Sequence, residues 1–138
     1  MIGSALGYTA IAVYLAGWIY HQVQVRQDPQ FNSWVLQLLA ATAIGLHCIA
    51  AANLLFVAGG LDLSLLKILA LLALVINSVV CISGVKKPLH SLYLFLFPIS
   101  ILSLLAALLS ESSEPVLFTS IDIQAHVLIS VLAYSLLA

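Results

Sequence analysis

SLLKILALLALVINSVVCISGV, residues 64–85, carries a single charged side chain, Lys67, and is otherwise apolar, small or uncharged. At 1.5 Å per residue it makes a helix of about 33 Å, enough to cross the hydrocarbon core of a bilayer. Working outward from it, three further runs have the same character: Ile2–Tyr20, Trp34–Val57 and Leu89–Leu109. A fifth opens at Ile121 and reaches Ala138 with no polar flank, no interfacial anchor and no charge behind it. In lipid every backbone group must find its partner within the segment, so runs of this length are helices. The fold expected is therefore all-α, a polytopic transmembrane helix bundle of about five spans forming one domain over residues 1–138. The unflanked last run suggests the front part of a longer polytopic domain, since a helix end in hydrocarbon strands its last carbonyls.

Composition agrees. Hydrophobic residues make up 64% of the chain and charged residues 7%, with a mean hydropathy of +1.21. An ordinary soluble domain carries about 25% charged residues. The four cations (Arg26, Lys67, Lys86, Lys87) and the five acids stand mainly between or at the ends of the apolar runs. With a net charge of -1 and no basic cluster beyond Lys86 and Lys87, the chain lacks the electrostatic footprint of a nucleic-acid binder. Cys48 and Cys81 fall inside apolar runs without C-x-x-C spacing, which reads as buried free thiols. The first twenty residues, MIGSALGYTAIAVYLAGWIY, lack the basic n-region of a cleavable signal peptide and read as a retained span.

Arg26 lies in the first loop and Lys86 and Lys87 in the third, whereas the second and fourth carry only acids (Asp62, Glu111, Glu114). The positive-inside rule puts loops one and three in the cytoplasm and the N-terminus outside. Trp18, Tyr20, Trp34 and Tyr93 would form an aromatic belt at the cytoplasmic ends, with His21 and His90 as interfacial residues. Pro98 inside the fourth span frees the carbonyl of Leu94, so a kink is expected there.

His47 falls near the middle of the second span. Its neighbours at helical spacing are Ala40, Ala43, Ile44, Ala50, Ala51 and Leu54, a face of small side chains. That face either lets another helix approach while His47 hydrogen-bonds across, or admits a planar cofactor with His47 near its metal. His126 lies one turn inside the fifth span. Asp122, four residues earlier on the same face, is placed to accept a hydrogen bond from one ring nitrogen and orient the other, as for a metal-ligating histidine. The plainer alternative makes Ser120 or Asp122 a helix cap and His126 an interfacial side chain. Gly3, Gly7, Ala10, Tyr14 and Gly17 recur at helical spacing along the first span, and Asn77, Cys81 and Gly84 share a stripe of the third. Both read as packing seams. No G-x-S-x-G, H-E-x-x-H, P-loop or intramembrane carboxylate pair is present, so the chain is not expected to be an enzyme.

Taken in order, LHCIAAANLLF (46–56), VAGGLDLSLLKILALLALVINSV (57–79), KPLHSLYLFLFPISILSLLAALL (87–109) and IDIQAHVLISVLAYSLLA (121–138) resemble the cytochrome c assembly membrane proteins. The branch is that of the YpjD-like, HemX-like and CcsA-like proteins. The most specific piece is the histidine opening a helix in AHVLISVLAYSLLA. This resemblance implies a multi-pass protein of the bacterial inner (cytoplasmic) membrane that binds or positions haem for cytochrome c biogenesis. Its partners would be membrane lipids, haem and other cytochrome c maturation proteins. His126 matches the family's outer histidine and would ligate the haem iron, while His47 matches a histidine recurrent in the second span. Asp122 would belong to the same cofactor site. The Trp-rich, Asp-containing external motif of haem-handling members is absent, as is any later histidine-bearing helix. The competing function is a non-catalytic accessory subunit of a transport or assembly complex, in which the same histidines make interhelical hydrogen bonds and no cofactor binds. A proton- or ion-coupled carrier is weakened by the lack of any acid inside a span.

Overall fold

The computed structural model describes residues 2–27, 33–58, 60–87, 89–110, 117–118 and 120–137. Five helices dominate: α1 (Ile2–Gln27), α2 (Ser33–Leu55), α3 (Leu65–Gly84), α4 (Tyr93–Leu109) and α5 (Ile121–Leu137). A single 3-10 turn, His90–Leu92, leads into α4. The protein is an all-α helical bundle, and three stretches, Ser33–Leu55, Leu65–Gly84 and His90–Leu109, are long and apolar enough to cross a membrane. The expected runs coincide with the observed helices to within one or two residues, except at the start of α4, where the 3-10 turn His90–Leu92 takes the place of the first turn, and at the C-terminal end of α1. There the helix continues seven residues past the apolar run, through Gln22, Gln24, Arg26 and Gln27, good helix formers that end just before Pro29.

The bundle is built on α1, which packs most extensively on α2 and then on α4, while α3 packs on both α2 and α4. The first-span seam explains this closeness. Gly7 and Gly17 are buried, and a Cβ on either would lie 2.8 Å from a Leu108 methyl or from the Phe97 ring. Only glycine allows α4 to come that near, which is how helices gain dispersion contacts in the absence of a hydrophobic drive between them. Around the seam lie a cluster of Ala10, Ala50, Leu54, Ala70, Leu104, Ala107 and Leu108 and a cluster of Tyr14, Leu36, Ala40, Ala43, Tyr93 and Phe97, with a third of Ala51, Leu55, Leu63 and Leu74 between α2 and α3.

The α4 helix runs without interruption through Pro98. The Leu94 carbonyl, which a proline at position 98 cannot serve, instead accepts the indole N–H of Trp18 on α1 at 3.1 Å. Trp18 thereby stitches α1 to α4. Tyr93 also departs from the expected belt: it is buried, stacks on Phe97 with ring centroids 4.9 Å apart, and donates its hydroxyl to Gln37 Oε1 at 3.1 Å. His21, expected at the interface, is buried as well, its ring centroid 6.4 Å from that of His90. Of the belt residues, Trp34 is the one left widely open, 66% exposed. Cys48, expected as a buried thiol, faces outward, and Cys81 is partly covered. For these residues the place along the helix was legible from sequence, but the direction around its axis was not.

At the other end of the bundle three short strands form an antiparallel sheet that sequence reading missed. The strands are β1 (Phe56–Val57), β2 (Gly60–Asp62) and β3 (Leu117–Phe118), in the order β1-β2-β3. Phe56 pairs with Leu61 and Val57 with Gly60, then Leu61 with Phe118 and Asp62 with Leu117. Gly60 adopts φ 145°, a conformation that L side chains rarely take, and so opens β2 at little steric cost. The sheet ties the α2–α3 connection to the segment entering α5.

Packing of α5 is sparser. It lies chiefly against α3, and of its 17 residues Val131 and Ser135 are the buried ones. The hydroxyls of Ser130 and Ser135 turn back onto the helix's own carbonyls, those of His126 and Val131.

Candidate functional site

The most organised polar arrangement lies inside the bundle, on residues contributed by four helices. His47 on α2 is fully buried, and its Nδ1 lies 3.2 Å from the hydroxyl of Tyr14 on α1, the two rings meeting edge to face. The Ser100 hydroxyl on α4 stands beside that of Tyr14. On α3, Asn77 donates from Nδ2 to Ser100 Oγ at 2.6 Å and to the Ala73 carbonyl at 2.9 Å. The result is a row, His47–Tyr14–Ser100–Asn77, that crosses the bundle. The small residues that flank His47 along α2, Ala40, Ala43, Ala50 and Ala51, are all buried, so this face is occupied by close helix packing. Of the two sequence readings, the cross-helix hydrogen bond is therefore the one realised in this conformation.

Two atoms of the row, His47 Nε2 and Asn77 Oδ1, are buried without a hydrogen-bond partner among the described residues. The sense of the row decides what Nε2 presents. If the Tyr14 hydroxyl donates to Nδ1, Nε2 carries the proton. If Nδ1–H donates to Tyr14, Nε2 presents a lone pair.

The sequence-predicted outer site is arranged differently. His126 and Asp122 both lie on the exposed surface of α5. Among the described residues no side-chain hydrogen bond joins them, so the orientation expected of Asp122 is not in place. Among the described residues neither ring nitrogen of His126 makes a hydrogen bond, and its backbone carbonyl accepts from Ser130. His47 and His126 are not brought together: one ring is enclosed between α2, α1 and α4, and the other looks away from the bundle.

Among the clefts of the described surface are four with volumes of about 170 to 370 Å³ that neither histidine lines. No group of three or more potential metal ligands occurs among the described residues. For the haem implied by the resemblance, the fit is thus one-sided. His126 offers an exposed imidazole nitrogen, but it lines none of these clefts, so apolar walls that would enclose a porphyrin are not gathered around it among the described residues.

A second polar cluster escaped sequence reading. Lys67, buried one turn into α3, donates to Asp62 Oδ2 at 2.5 Å, both side chains at most 7% exposed. The other carboxylate oxygen accepts the Ser64 amide at 3.1 Å, at the start of α3. Asp62 thus holds the amide of Ser64, the residue that precedes α3, and serves as the counter-ion of Lys67 at once. The signal available was the placement of a lone lysine inside an apolar run five residues after a lone acid. A charge in that position needs a partner.

No family model, no curated protein and no solved structure matches the chain.

Proposed function

We propose that this chain is a membrane-embedded, non-enzymatic component of bacterial cytochrome c biogenesis that positions haem, with His126 as the residue that meets the iron. The reading rests on the resemblance carried by AHVLISVLAYSLLA; the His126 imidazole is exposed on α5 and makes no side-chain hydrogen bond among the described residues, which leaves it open to a ligand. In hydrocarbon or at its edge a polar ring in that position calls for an occupant. Because the surrounding residues do not wall a porphyrin, the rest of the pocket would come from another segment or subunit seated on the same face. When bound, haem would supply the redox-active iron. This chain would supply an axial nitrogen and a fixed depth in the membrane, of the cytoplasmic type implied by the resemblance.

An optical spectrum of the detergent-purified protein with added haem tests the proposal. A Soret band that is lost in His126→Gly and restored by free imidazole is the expected result. An unchanged band in His126→Gly, or no band in the parent protein, overturns it.

A second reading is favoured by the His47–Tyr14 contact. The deeper histidine is spent on interhelical bonding, as in an accessory subunit that binds no cofactor and serves as a scaffold. On that reading the parent protein shows no Soret band, and His126→Gly weakens co-purification of a protein partner instead.

A further inference from the structure

At the end of the bundle opposite the sheet, a cleft of about 170 Å³ opens between the start of α2, the end of α3 and the 3-10 turn. We propose that this cleft binds the phosphate-bearing headgroup of an anionic membrane lipid, with Lys87, His90 and Ser33 facing the phosphate.

Position comes first. The cleft lies where α2 begins at Ser33, α3 ends at Gly84 and the third apolar stretch begins at His90, the level at which spans meet the headgroups. Trp34, the widely exposed aromatic, lines it, as aromatics do at that depth. The chemistry is that of an anion site. Lys87 brings an ammonium, His90 an imidazole and Ser33 a hydroxyl, and no carboxylate lines the cleft among the described residues. The first turn of α2 contains no acidic residue, so the partial positive charge of its unsatisfied amides is left for a ligand. Basic pockets between spans at this level are where phosphate headgroups seat.

The floor is built rather than incidental. Gln37 is held by the Tyr93 hydroxyl at Oε1 and lies 3.3 Å from Cys81 Sγ through Nε2, which also donates to the Cys81 carbonyl. A Cβ at Gly84 would come within 3.2 Å of Gln37 Oε1, so glycine keeps that wall back. The walls also distinguish a lipid from free phosphate. Val85 and Leu89 line the same cleft as the cation, and Val85 is 74% exposed, which gives the glycerol and upper acyl region an apolar surface that inorganic phosphate would not use. The volume is below that of pockets for drug-sized ligands, in keeping with a headgroup whose chains stay in the bilayer.

Trp34 provides the probe. The chain carrying Trp18→Phe is reconstituted in vesicles with increasing fractions of brominated phosphatidylglycerol or brominated phosphatidylcholine, and quenching of Trp34 is followed. Quenching at lower mole fraction of phosphatidylglycerol is expected. Lys87→Gln should weaken that preference about fivefold, the effect of one surface cation on an anionic lipid. Lys86→Gln should leave it nearly intact, because Lys86 is equally exposed and adjacent in sequence but does not line the cleft. Equal quenching by the two lipids overturns the proposal. Equal losses in the Lys86 and Lys87 variants do so too, since they mean diffuse surface charge. Relief of quenching by millimolar inorganic phosphate at constant ionic strength overturns the lipid assignment in favour of a small-anion site.

Discussion

Replacing Tyr14 by Phe removes one oxygen from the middle of the bundle and leaves shape nearly unchanged. The hydroxyl lies 3.2 Å from His47 Nδ1, next to Ser100, and both Tyr14 and His47 are fully buried. Without it, both nitrogens of His47 lack a partner among the described residues, because Nε2 already does. In water-soluble proteins an orphaned buried group costs about 1–3 kcal/mol. Between membrane helices measured couplings average about 0.6 and reach about 1.7 kcal/mol, since the unfolded chain in lipid also finds partners. A contact of 3.2 Å is at the long end for a hydrogen bond, so we expect a Tyr14–His47 coupling of about 0.5–1.5 kcal/mol. His47→Leu fills a similar volume without polar atoms, and the double variant removes both partners together, which is close to neutral in well-packed interiors. Tyr14→Phe should therefore be the worse single change, and the double variant should be less destabilised than the two singles combined. The assay is a double-mutant cycle on SDS-driven unfolding in mixed micelles, followed by circular dichroism. Additivity to within about 0.3 kcal/mol, the scatter of independent sites, would refute the role assigned to the contact.

Three other outcomes follow from the same geometry. Lys67→Met should cost about 3–5 kcal/mol by stranding the buried Asp62 carboxylate, and adding Asp62→Asn should recover much of that loss in the same unfolding assay. Gly17→Ala, whose Cβ would meet the Phe97 ring at 2.8 Å, should destabilise by about 1–3 kcal/mol, whereas Gly45→Ala, which meets nothing within 4 Å, should be neutral or slightly stabilising. Burial and the neighbouring His90 hold His21 below its ordinary 6.5, so the unfolded chain takes up that proton first as pH falls. The stability contributed by neutral His21 is then present above about pH 6.5 and lost below it, and His21→Gln should flatten unfolding midpoints measured between pH 5 and 7.

The helices were legible because apolar run length is a one-dimensional property, and the bilayer makes it decisive. The seam of Gly7 and Gly17 likewise announced that α1 would be gripped, and Asn77 was read as bonding across, which it does to Ser100. What escaped depends on azimuth or on short non-helical backbone. Tyr93 and His21 lie at the depth of an aromatic belt, yet both turn inward, and nothing in linear order separates an inward from an outward aromatic at a helix end. Strands of two and three residues are too short for a period-two pattern to show. Asp62 and Lys67 are five residues apart across a strand-to-helix junction, outside the three- and four-residue spacings that pair side chains along a helix.

The two histidines singled out by sequence differ in what surrounds them, and that difference bears on function more than their shared chemistry does. His47 is enclosed among buried alanines of α2 and bonded to Tyr14, so reaching it with a cofactor would require parting α1 from α2, the most extensive contact in the bundle. That cost falls on the part of the fold that the glycine seam and the Trp18 indole bond also hold together. His126 faces no such barrier. It rides on α5, whose seating rests chiefly on α3 and on two buried residues, and a segment that covers little of its own surface is cheap to dock upon. On the proposed function, a ligand that must arrive and leave would be better served at His126, with His47 held as part of the frame. This division requires the occupant of the α5 face to bring its own apolar walls. If the proposed function holds, the two substitutions separate: loss of His126 should abolish haem retention without loosening the bundle, and loss of His47 should do the reverse.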